Sequence, residues 1–208
     1  MSAPLITVID YGVGNLWSVI SAFKYLGAKV ELISDPEKIS KSSTLVLPGV
    51  GSFRRGMEAI TKRGIDEAII DGVTNKGSKI LGICLGMQLL GGASTEDGET
   101  CGIGLLPNQV TKFTKQEVVG KKLPHIGFNS VYVNKKEGLF KDLLNPSDFY
   151  FIHSYRMLVD NFKGNYATCK YGDEFLAAYQ VDNICGTQFH PENSQTNGLI
   201  ILKNFIKF

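Results

Sequence analysis

KILGICLGMQLLGG, residues 79–92, joins an apolar strand-like run to a helical pattern through a single cysteine. The apolar run ends just before Cys84, and the helical pattern begins just after it. Gly82 and Gly86 stand two residues before and after Cys84, like the small residues of a nucleophile elbow, which permit a sharp strand-to-helix turn. The stretch therefore predicts Cys84 at the carboxyl end of a strand, where open α/β sheets bind their ligands.

Further apolar runs and helical patterns alternate on the N-terminal side of this stretch. The apolar runs predict strands over residues 5–10, 28–33, 44–48 and 79–83, and the periodic segments predict helices over about 15–26 and 57–76. Strands that alternate with helices indicate βαβ units, in which helices cover a parallel sheet on both faces. We therefore expect a mainly parallel central sheet.

The C-terminal half has a different pattern. Its runs VTKF, FNSVYV, DFYFIHSY, YATCKY, FLAAYQ and ICGTQF are short and β-rich, and a helical pattern follows over residues 198–208. These runs predict an antiparallel or mixed β layer added to the parallel core. The expected fold is a three-layer αβα sandwich of the α/β class. A single domain over residues 1–208 is expected, since a chain of this length favours one core.

The composition argues against several functional classes. A formal net charge of +2 on 208 residues is too small to indicate binding to nucleic acid or to an anionic membrane. No apolar run approaches the roughly 20 residues that span a bilayer. The N-terminal residues lack the basic and long apolar regions of a signal peptide. We therefore expect a cytoplasmic location, with no membrane or nucleic-acid partner.

Neither a metal nor a cofactor is predicted. No two cysteines are close enough in the sequence for a redox motif or a thiolate zinc site; the four are Cys84, Cys101, Cys169 and Cys185. A glycine turn at residues 12–14 follows the first strand, but Trp17 stands where a dinucleotide fingerprint needs a small residue. Most free cysteines pack as small hydrophobic groups, and only Cys84 has a setting that favours reactivity.

A cysteine nucleophile needs a base, and His190 is the candidate with a partner beside it. His190 and Glu192 flank Pro191, which disfavours the helical region for the residue before it and predicts an extended tripeptide. In an extended segment the two side chains project to the same side, so the carboxylate could orient the imidazole. The H-P-E sequence alone also fits a surface loop, and its combination with the Cys84 turn favours the catalytic interpretation.

The other two histidines have weaker cases. His153 follows an aromatic strand-like run, and the sequence leaves a partly buried histidine and a substrate-binding role equally open. His125 has no obvious chemical partner nearby in the sequence, which favours a structural role for it.

Two backbone segments are candidates for stabilising an oxyanion. The N–H of Leu85, directly after the nucleophile, is positioned for that role at the start of a helix. The turn LPGVGSF, residues 47–53, follows the third strand. Its glycines fit either the second half of an oxyanion hole or an ordinary turn between a strand and a helix.

Six motifs together carry a resemblance to a known family. They are DYGVGN (10–15), LPGVGSF (47–53), GICLGMQLL (82–90), LPHIGFNS (123–130), YFIHSY (150–155) and GTQFHPENS (186–194). Over essentially its full length the chain resembles the class I, triad-type glutamine amidotransferases. Within that family it resembles the glutaminase subunits of imidazole glycerol phosphate synthase. The resemblance implies the flavodoxin-like fold of these glutaminases.

The resemblance also implies a reaction and a set of site residues. Glutamine would form a γ-glutamyl thioester on Cys84 with release of ammonia, and water activated through His190 and Glu192 would hydrolyse it. The implied oxyanion hole consists of Val50, Gly51 and Leu85. The implied glutamine-binding residues are Gly49, Gln88, His153, Ser154 and Tyr155.

A partner is implied as well. In that family the ammonia passes to a (β/α)8-barrel cyclase subunit, in a heterodimer. The cyclase makes imidazole glycerol phosphate and an aminoimidazole carboxamide ribotide, for histidine and purine biosynthesis.

Three residues depart from the family pattern and leave the ammonia acceptor open. Phe128 stands where tryptophan is common, Asn193 where lysine is common, and Trp17 where arginine is frequent. The segments of Phe128 and Asn193 are associated with the partner-facing surface. The alternative is a paralogous glutaminase that supplies ammonia for an amidine-bearing sugar in surface-polysaccharide biosynthesis.

Two hypotheses outside this pair of pathways also fit the sequence. One is a cysteine hydrolase or peptidase of the same doubly wound fold, which would have no preference for glutamine. The other is a catalytically silent scaffold that only binds and regulates a cyclase. The presence of all three residues of a Cys-His-Glu triad argues against the scaffold.

Overall fold

The computed structural model describes residues 3–159 and 162–208 as an α/β fold. Residues 1, 2, 160 and 161, which the predicted single domain also includes, lie outside the described residues. The fold class that the sequence predicted is confirmed, with a large sheet covered by helices and a second, smaller sheet.

The N-terminal half alternates strands and helices as expected. Its strands are β1 (Leu5–Ile9), β2 (Lys29–Ile33), β3 (Thr44–Gly49) and β4 (Lys79–Cys84). Its helices are α1 (Leu16–Tyr25), α2 (Pro36–Lys41), α3 (Phe53–Thr61), α4 (Ile65–Ile70) and α5 (Leu85–Leu89), and a π-helical turn over Asp71–Asn75 extends α4.

One predicted helix is wrong in its bounds. The single helix expected over residues 57–76 begins earlier, at Phe53, and is divided into α3 and α4. The division falls at Gly64, whose φ of 65° is left-handed and cannot continue a right-handed helix.

The C-terminal half supplies the remaining strands and one long helix. The strands are β5 (Ala93–Ser94), β6 (Thr100–Cys101), β7 (Gln109–Lys112), β8 (His125–Val133), β9 (Ser147–His153), β10 (Tyr155–Met157), β11 (Asn165–Tyr171), β12 (Asp173–Val181) and β13 (Ile184–Thr187). The helix is α6 (Gln195–Lys207), and short 3-10 turns lie over Gly138–Phe140 and Pro191–Asn193.

The central sheet combines both strand orientations. Its order is β2-β1-β3-β4-β13-β12-β11-β8-β9, with parallel pairing from β2 to β13 and antiparallel pairing from there to β9. Most of the predicted antiparallel strands therefore continue the central sheet rather than form a layer of their own. The second sheet, β10-β7-β5-β6, is the separate β element.

Both faces of the parallel strands are buried. In β3 and β4, Val46, Leu81 and Ile83 join one apolar cluster, whereas Leu45 and Ile80 join a second cluster on the opposite face. Successive side chains of a strand point to opposite faces, so a strand buried on both sides has an almost continuous apolar run. Helices α1 and α6 cover the first face, and α3 and α4 cover the second.

Within residues 3–159 and 162–208, every helix is too short or too polar to cross a bilayer. The same residues contain no cluster of three or more His, Cys, Asp or Glu side chains that could hold a metal ion.

Candidate active site

Cys84 lies at the sharp turn that the glycine spacing predicted. It ends β4 and precedes α5 with φ 53° and ψ −109°, a conformation that a residue with a side chain adopts only at a cost. A Cβ on Gly82 would come within 2.6 Å of the Met87 backbone nitrogen, and one on Gly86 would overlap the Leu47 carbonyl oxygen. The two glycines are therefore required for the close packing of strand and helix around Cys84.

His190 and Glu192 form a nearly buried pair. The His190 Nδ1 atom lies 2.7 Å from Glu192 Oε1, and the two side chains are only 7% and 2% exposed. The backbone that brings them together differs from the predicted extended tripeptide. His190 is extended, but Pro191–Asn193 form a 3-10 turn with Pro191 in its first position. Proline has the φ of a first helical turn and lacks the N–H that such a turn leaves unpaired. Pro191, which was expected to keep the chain extended, therefore starts a turn instead.

The charges around His190 favour its protonated ring. Burial alone lowers the pKa of His190, but interactions with the Cys84 sulfur and the Glu192 carboxylate outweigh burial and raise it to about 10. Because Nδ1 is engaged by Glu192, Nε2 is the nitrogen through which the ring can exchange a proton with Cys84. Nε2 is buried and has no hydrogen-bond partner among the described residues, which leaves it available for that exchange.

A cavity of about 280 Å³ lies beside Cys84 and brings together most of the predicted site residues. It is lined by Val50, Gly51, Cys84, Leu85, Gln88, Glu96, Pro124, Ile152, His153, Ser154 and Tyr155. Gly49, His190 and Glu192 are not part of this lining. A larger groove of about 680 Å³ lies over Leu106, Leu158 and Phe162, but it contains none of the predicted site residues.

The predicted oxyanion loop leaves β3 directly beside Cys84. Gly49 pairs with Cys84 in the register of β3 and β4, and Val50 and Gly51 follow it along the cavity wall. A Cβ on Gly49 would overlap the Tyr11 hydroxyl, and Gly51 has a φ of 107°, so both positions call for glycine. The loop and Leu85 thus line one cavity, and their role as an oxyanion hole stays a prediction.

His125 has a chemical partner that sequence reasoning missed. It pairs with His153 across β8 and β9, and its Nδ1 lies 3.0 Å from His153 Nε2. His153 Nδ1 lies 2.8 Å from the Tyr155 carbonyl oxygen, which can only accept, so Nδ1 carries the proton. His153 Nε2 therefore accepts from His125 Nδ1. The partner was missed because strand register, and not sequence distance, brings the two rings together.

Both of these rings are neutral at physiological pH. Burial is the main cause that lowers the pKa of His153 to about 3, and the neighbouring His125 adds to the effect. Burial also lowers the pKa of His125 to about 4, and the positive charge of Lys121 makes a smaller contribution in the same direction. His153 thus presents a neutral ring to the cavity, fixed in one tautomer by its two hydrogen bonds.

Two further polar residues of the site were not predicted. Glu96 contributes a carboxylate to the cavity wall; its Oε2 accepts from the Phe53 N–H at 2.8 Å, and burial raises its pKa. Gln188 is fully buried and contacts Cys84. Glu96 stands in a polar loop with no pattern to mark it. Gln188 could have been found, because it lies two residues before His190 in the same extended run.

An apolar patch adjoins the cavity. Ile126 and Phe128 of β8 pair with Ile152 and Tyr150 of β9, and we call these four residues the β8–β9 patch. Ile126, Phe128 and Ile152 are 55%, 52% and 43% exposed, and Ile152 also lines the cavity. Exposed apolar side chains grouped in this way mark interaction surfaces.

Comparison with known proteins decides the family. The family model described as "Glutamine amidotransferase class-I" matches residues 7–208. The chain belongs to this family. The predicted glutamine amidotransferase, an enzyme with glutaminase activity, is thereby confirmed.

Curated relatives match the chain over nearly its whole length. "Imidazole glycerol phosphate synthase subunit HisH 1" of Parasynechococcus marenigrum (strain WH8102) is 46% identical, over 98% of this chain and 97% of the relative. The HisH subunit of Moorella thermoacetica is 42% identical, over 96% and 93%. A subunit named HisH 2 of Pseudomonas aeruginosa PAO1 is 37% identical, over 98% and 99%.

Solved structures share the fold. The structure of PurLQS from Thermotoga maritima has a TM-score of 0.74 at 16% identity and covers 99% of both chains. A crystal structure of a glutamine amidotransferase has a TM-score of 0.71 at 17% identity and covers 97% of both chains. At these identities the similarity concerns the fold alone.

Proposed function

We propose that this chain is the glutaminase subunit of an imidazole glycerol phosphate synthase and hydrolyses L-glutamine at Cys84. The observation that carries the proposal is the buried His190–Glu192 pair, whose protonated ring interacts with Cys84. Cys84 itself lies at a strained strand-to-helix turn. Relatives named as subunits of that synthase, at 46% and 42% identity over almost the entire chain, support the choice of pathway.

The reaction follows from the positions of three side chains. His190, held by Glu192, carries the proton that the Cys84 thiol has given up, and the Cys84 thiolate attacks the side-chain carbonyl carbon of glutamine. The tetrahedral intermediate collapses as His190 returns the proton to the leaving ammonia, and a thioester remains on the sulfur. Water, deprotonated by His190, then attacks the thioester, so that glutamate leaves and the sulfur regains its electron pair.

The oxyanion of each tetrahedral intermediate needs hydrogen-bond donors. The Leu85 N–H, at the start of α5, is one proposed donor, since a helix N-terminus favours negative charge. The loop of Val50 and Gly51 supplies the second, because it follows the β3 residue that pairs with Cys84.

The cavity has the size and polarity for one glutamine molecule. Gln88, His153, Ser154 and Tyr155 provide polar groups around it, and Gly49 allows the close approach of the neighbouring loop. We add Glu96 to this set. The negative charge of its carboxylate would offset the positive charge of the α-ammonium group of glutamine, which the neutral side chains of the cavity cannot do.

The proposed partner is a (β/α)8-barrel cyclase that receives the ammonia in a heterodimer. The β8–β9 patch is the proposed contact, because it is apolar, exposed and continuous with the cavity wall at Ile152. Ammonia leaving this cavity would then enter the partner and not bulk water. A cytoplasmic location is part of the proposal, since all four cysteines are free thiols and a reducing compartment maintains them.

The paralogous role in surface-polysaccharide biosynthesis stays the alternative. It is supported by the departures from the family pattern, because Trp17, Phe128 and Asn193 are all exposed where a partner could contact them. The two roles differ in the cyclase and in the nucleotide that stimulate the glutaminase.

The test is glutamate release from glutamine, measured with each candidate cyclase present. Cys84→Ser is expected to lower the rate at least about a thousandfold, because the nucleophile is lost. Cys101→Ser is the matched control, since Cys101 is exposed on β6 and lies outside the cavity lining. Equal rates for wild type and Cys84→Ser would disprove the catalytic assignment. Stimulation by the polysaccharide-pathway cyclase alone would favour the alternative.

A further inference from the structure

Gln188 contacts the sulfur of Cys84 from the strand next to β4. It follows the last residue of β13, is 0% exposed, and its backbone N–H donates to the Ala177 carbonyl at 2.8 Å. Its side-chain Nε2 lies 3.7 Å from Cys84 Sγ, within the range of a hydrogen bond to sulfur. The backbone and the side chain of Gln188 are thus both held in the buried interior.

The orientation of the Gln188 amide follows from its neighbours. Gln88 Nε2 donates to the Tyr155 carbonyl oxygen at 3.0 Å and to Gln188 Oε1 at 2.8 Å. A backbone carbonyl only accepts, so Tyr155 fixes which end of the Gln88 amide is the donor. The Nε2 donor of Gln88 in turn requires that the side-chain oxygen of Gln188, and not its nitrogen, faces Gln88. The NH2 group of Gln188 must therefore face the Cys84 sulfur.

We propose that Gln188 is a second stabilising group for the Cys84 thiolate, distinct from His190. The proposal rests on the proposed role of Cys84 as the nucleophile. A hydrogen bond to a charged sulfur is stronger than one to a neutral thiol, so the amide favours the thiolate over the thiol. Because an amide does not titrate, Gln188 stabilises the anion without competing for the proton that His190 carries.

The same bond contributes when the thioester is hydrolysed. The C–S bond breaks, its electron pair returns to Sγ, and the Gln188 N–H is already directed at the atom that becomes negative. Fixed donors of this kind need no reorganisation during the reaction. Gln188 would thus favour formation of the thiolate at the start of the cycle and its departure from carbon at the end.

The test measures the reactivity of Cys84 without turnover of glutamine. Gln188→Met keeps a long unbranched side chain but removes the donor. Alkylation of Cys84 by iodoacetamide is followed on the Cys84 peptide. We expect its pH midpoint to rise by about one unit, so that at a pH below the midpoint the rate of alkylation falls roughly tenfold. Thr187→Val is the matched control, because Thr187 is equally buried, adjacent on the same strand, and its hydroxyl has no partner among the described residues.

Two outcomes would overturn the inference. One is an unchanged alkylation midpoint in folded Gln188→Met; the other is an equal rise in Thr187→Val. If Gln188→Met does not fold, the unmutated protein is used: the side-chain amide ¹⁵N resonance of Gln188 should titrate with the Cys84 alkylation midpoint, and no titration would disprove the contact. Since alkylation needs no glutamine, a shifted midpoint in a protein without glutaminase activity would refute only the proposed function.

Discussion

His190 and His153 differ in charge because of the groups that surround each ring. Both are buried, and burial lowers the pKa of each. His190 lies between two acidic groups, which reverse the effect and raise its pKa to about 10. His153 contacts the neutral His125 and a carbonyl oxygen, and its pKa falls to about 3. One ring therefore carries a proton that can be transferred, and the other serves as a neutral part of the cavity wall.

The raised pKa of His190 predicts how the activity depends on pH. Protonated His190 is present below pH 10, so kcat/KM for glutamine is expected to fall about tenfold per pH unit above about 10, as the ring loses the proton that the leaving ammonia receives. The same protonation contributes stability that is full below the ordinary histidine pKa of about 6.5 and is lost as pH rises through 10. Glutamate release is measured beside circular dichroism, so that unfolding is recognised. A constant rate up to pH 11 in a folded protein would contradict the assignment.

At the scale of elements, β4 and α5 can meet at Cys84 only because of the glycines on either side. The turn forces Cys84 to a positive φ, and the packing around Gly82 and Gly86 leaves no space for a Cβ. The sequence pattern predicted this turn, since its steric requirement involves neighbouring residues of the chain. The strain at Cys84 is maintained by the contacts of β4 with β3 and β13.

Gly86→Ala is predicted to cost far more stability than an alanine at an open glycine. Its Cβ would overlap the Leu47 carbonyl oxygen of β3, and neither backbone can move without disrupting the sheet. We expect a loss of at least about 3 kcal/mol in the free energy of unfolding, measured by urea denaturation. Gly27→Ala is the control: its φ of 84° is also unfavourable for alanine, but nothing lies within 4 Å, so a loss of about 1 kcal/mol is expected. Equal losses would show that the conformation, and not the overlap, dominates.

The β8–β9 pair has two functions through its alternating side chains. His125 and His153 point inward to the cavity network, whereas Ile126 and Ile152, one residue along, form part of the exposed patch. Adjacent residues of a strand face opposite sides, so one register positions both surfaces. The sequence could not reveal this pairing, because a long connection separates the two strands.

At the scale of the whole molecule, the strand order assembles the candidate site. β4 lies between β3 and β13, and all three strands are parallel. The residues that follow them therefore meet at one edge of the sheet. β3 leads into the loop of Val50 and Gly51, β4 ends at Cys84, and β13 leads to Gln188 and His190.

Phe128→Asp is predicted to weaken the partner complex without changing the isolated subunit. An aspartate in the middle of the β8–β9 patch would leave a charge in an apolar interface, and the Kd for the cyclase should rise at least about tenfold. Basal glutamine hydrolysis by the chain alone should not change, because Phe128 lies outside the cavity lining. Binding is measured by calorimetry, and the cyclase-stimulated rate is measured beside it.

The control for that change is Tyr25→Asp. Tyr25 is 79% exposed, more than Phe128, ends α1 and lies outside the β8–β9 patch. It should leave both the Kd and the stimulated rate unchanged. Equal weakening by the two variants would point to a general effect of charge, and no weakening by Phe128→Asp would exclude the patch as the contact.

The sequence by itself determined the features that depend on residues close along the chain. Apolar periodicity predicted the alternating strands and helices, glycine spacing predicted the turn at Cys84, and the H-P-E motif predicted that His190 and Glu192 meet. The tertiary structure alone decided that most antiparallel strands extend the central sheet, that Gln188 faces Cys84, that His125 contacts His153 and that Glu96 enters the cavity. The reason is physical: steric limits and periodicity act over a few residues, whereas strand order and register result from packing between segments far apart in the chain.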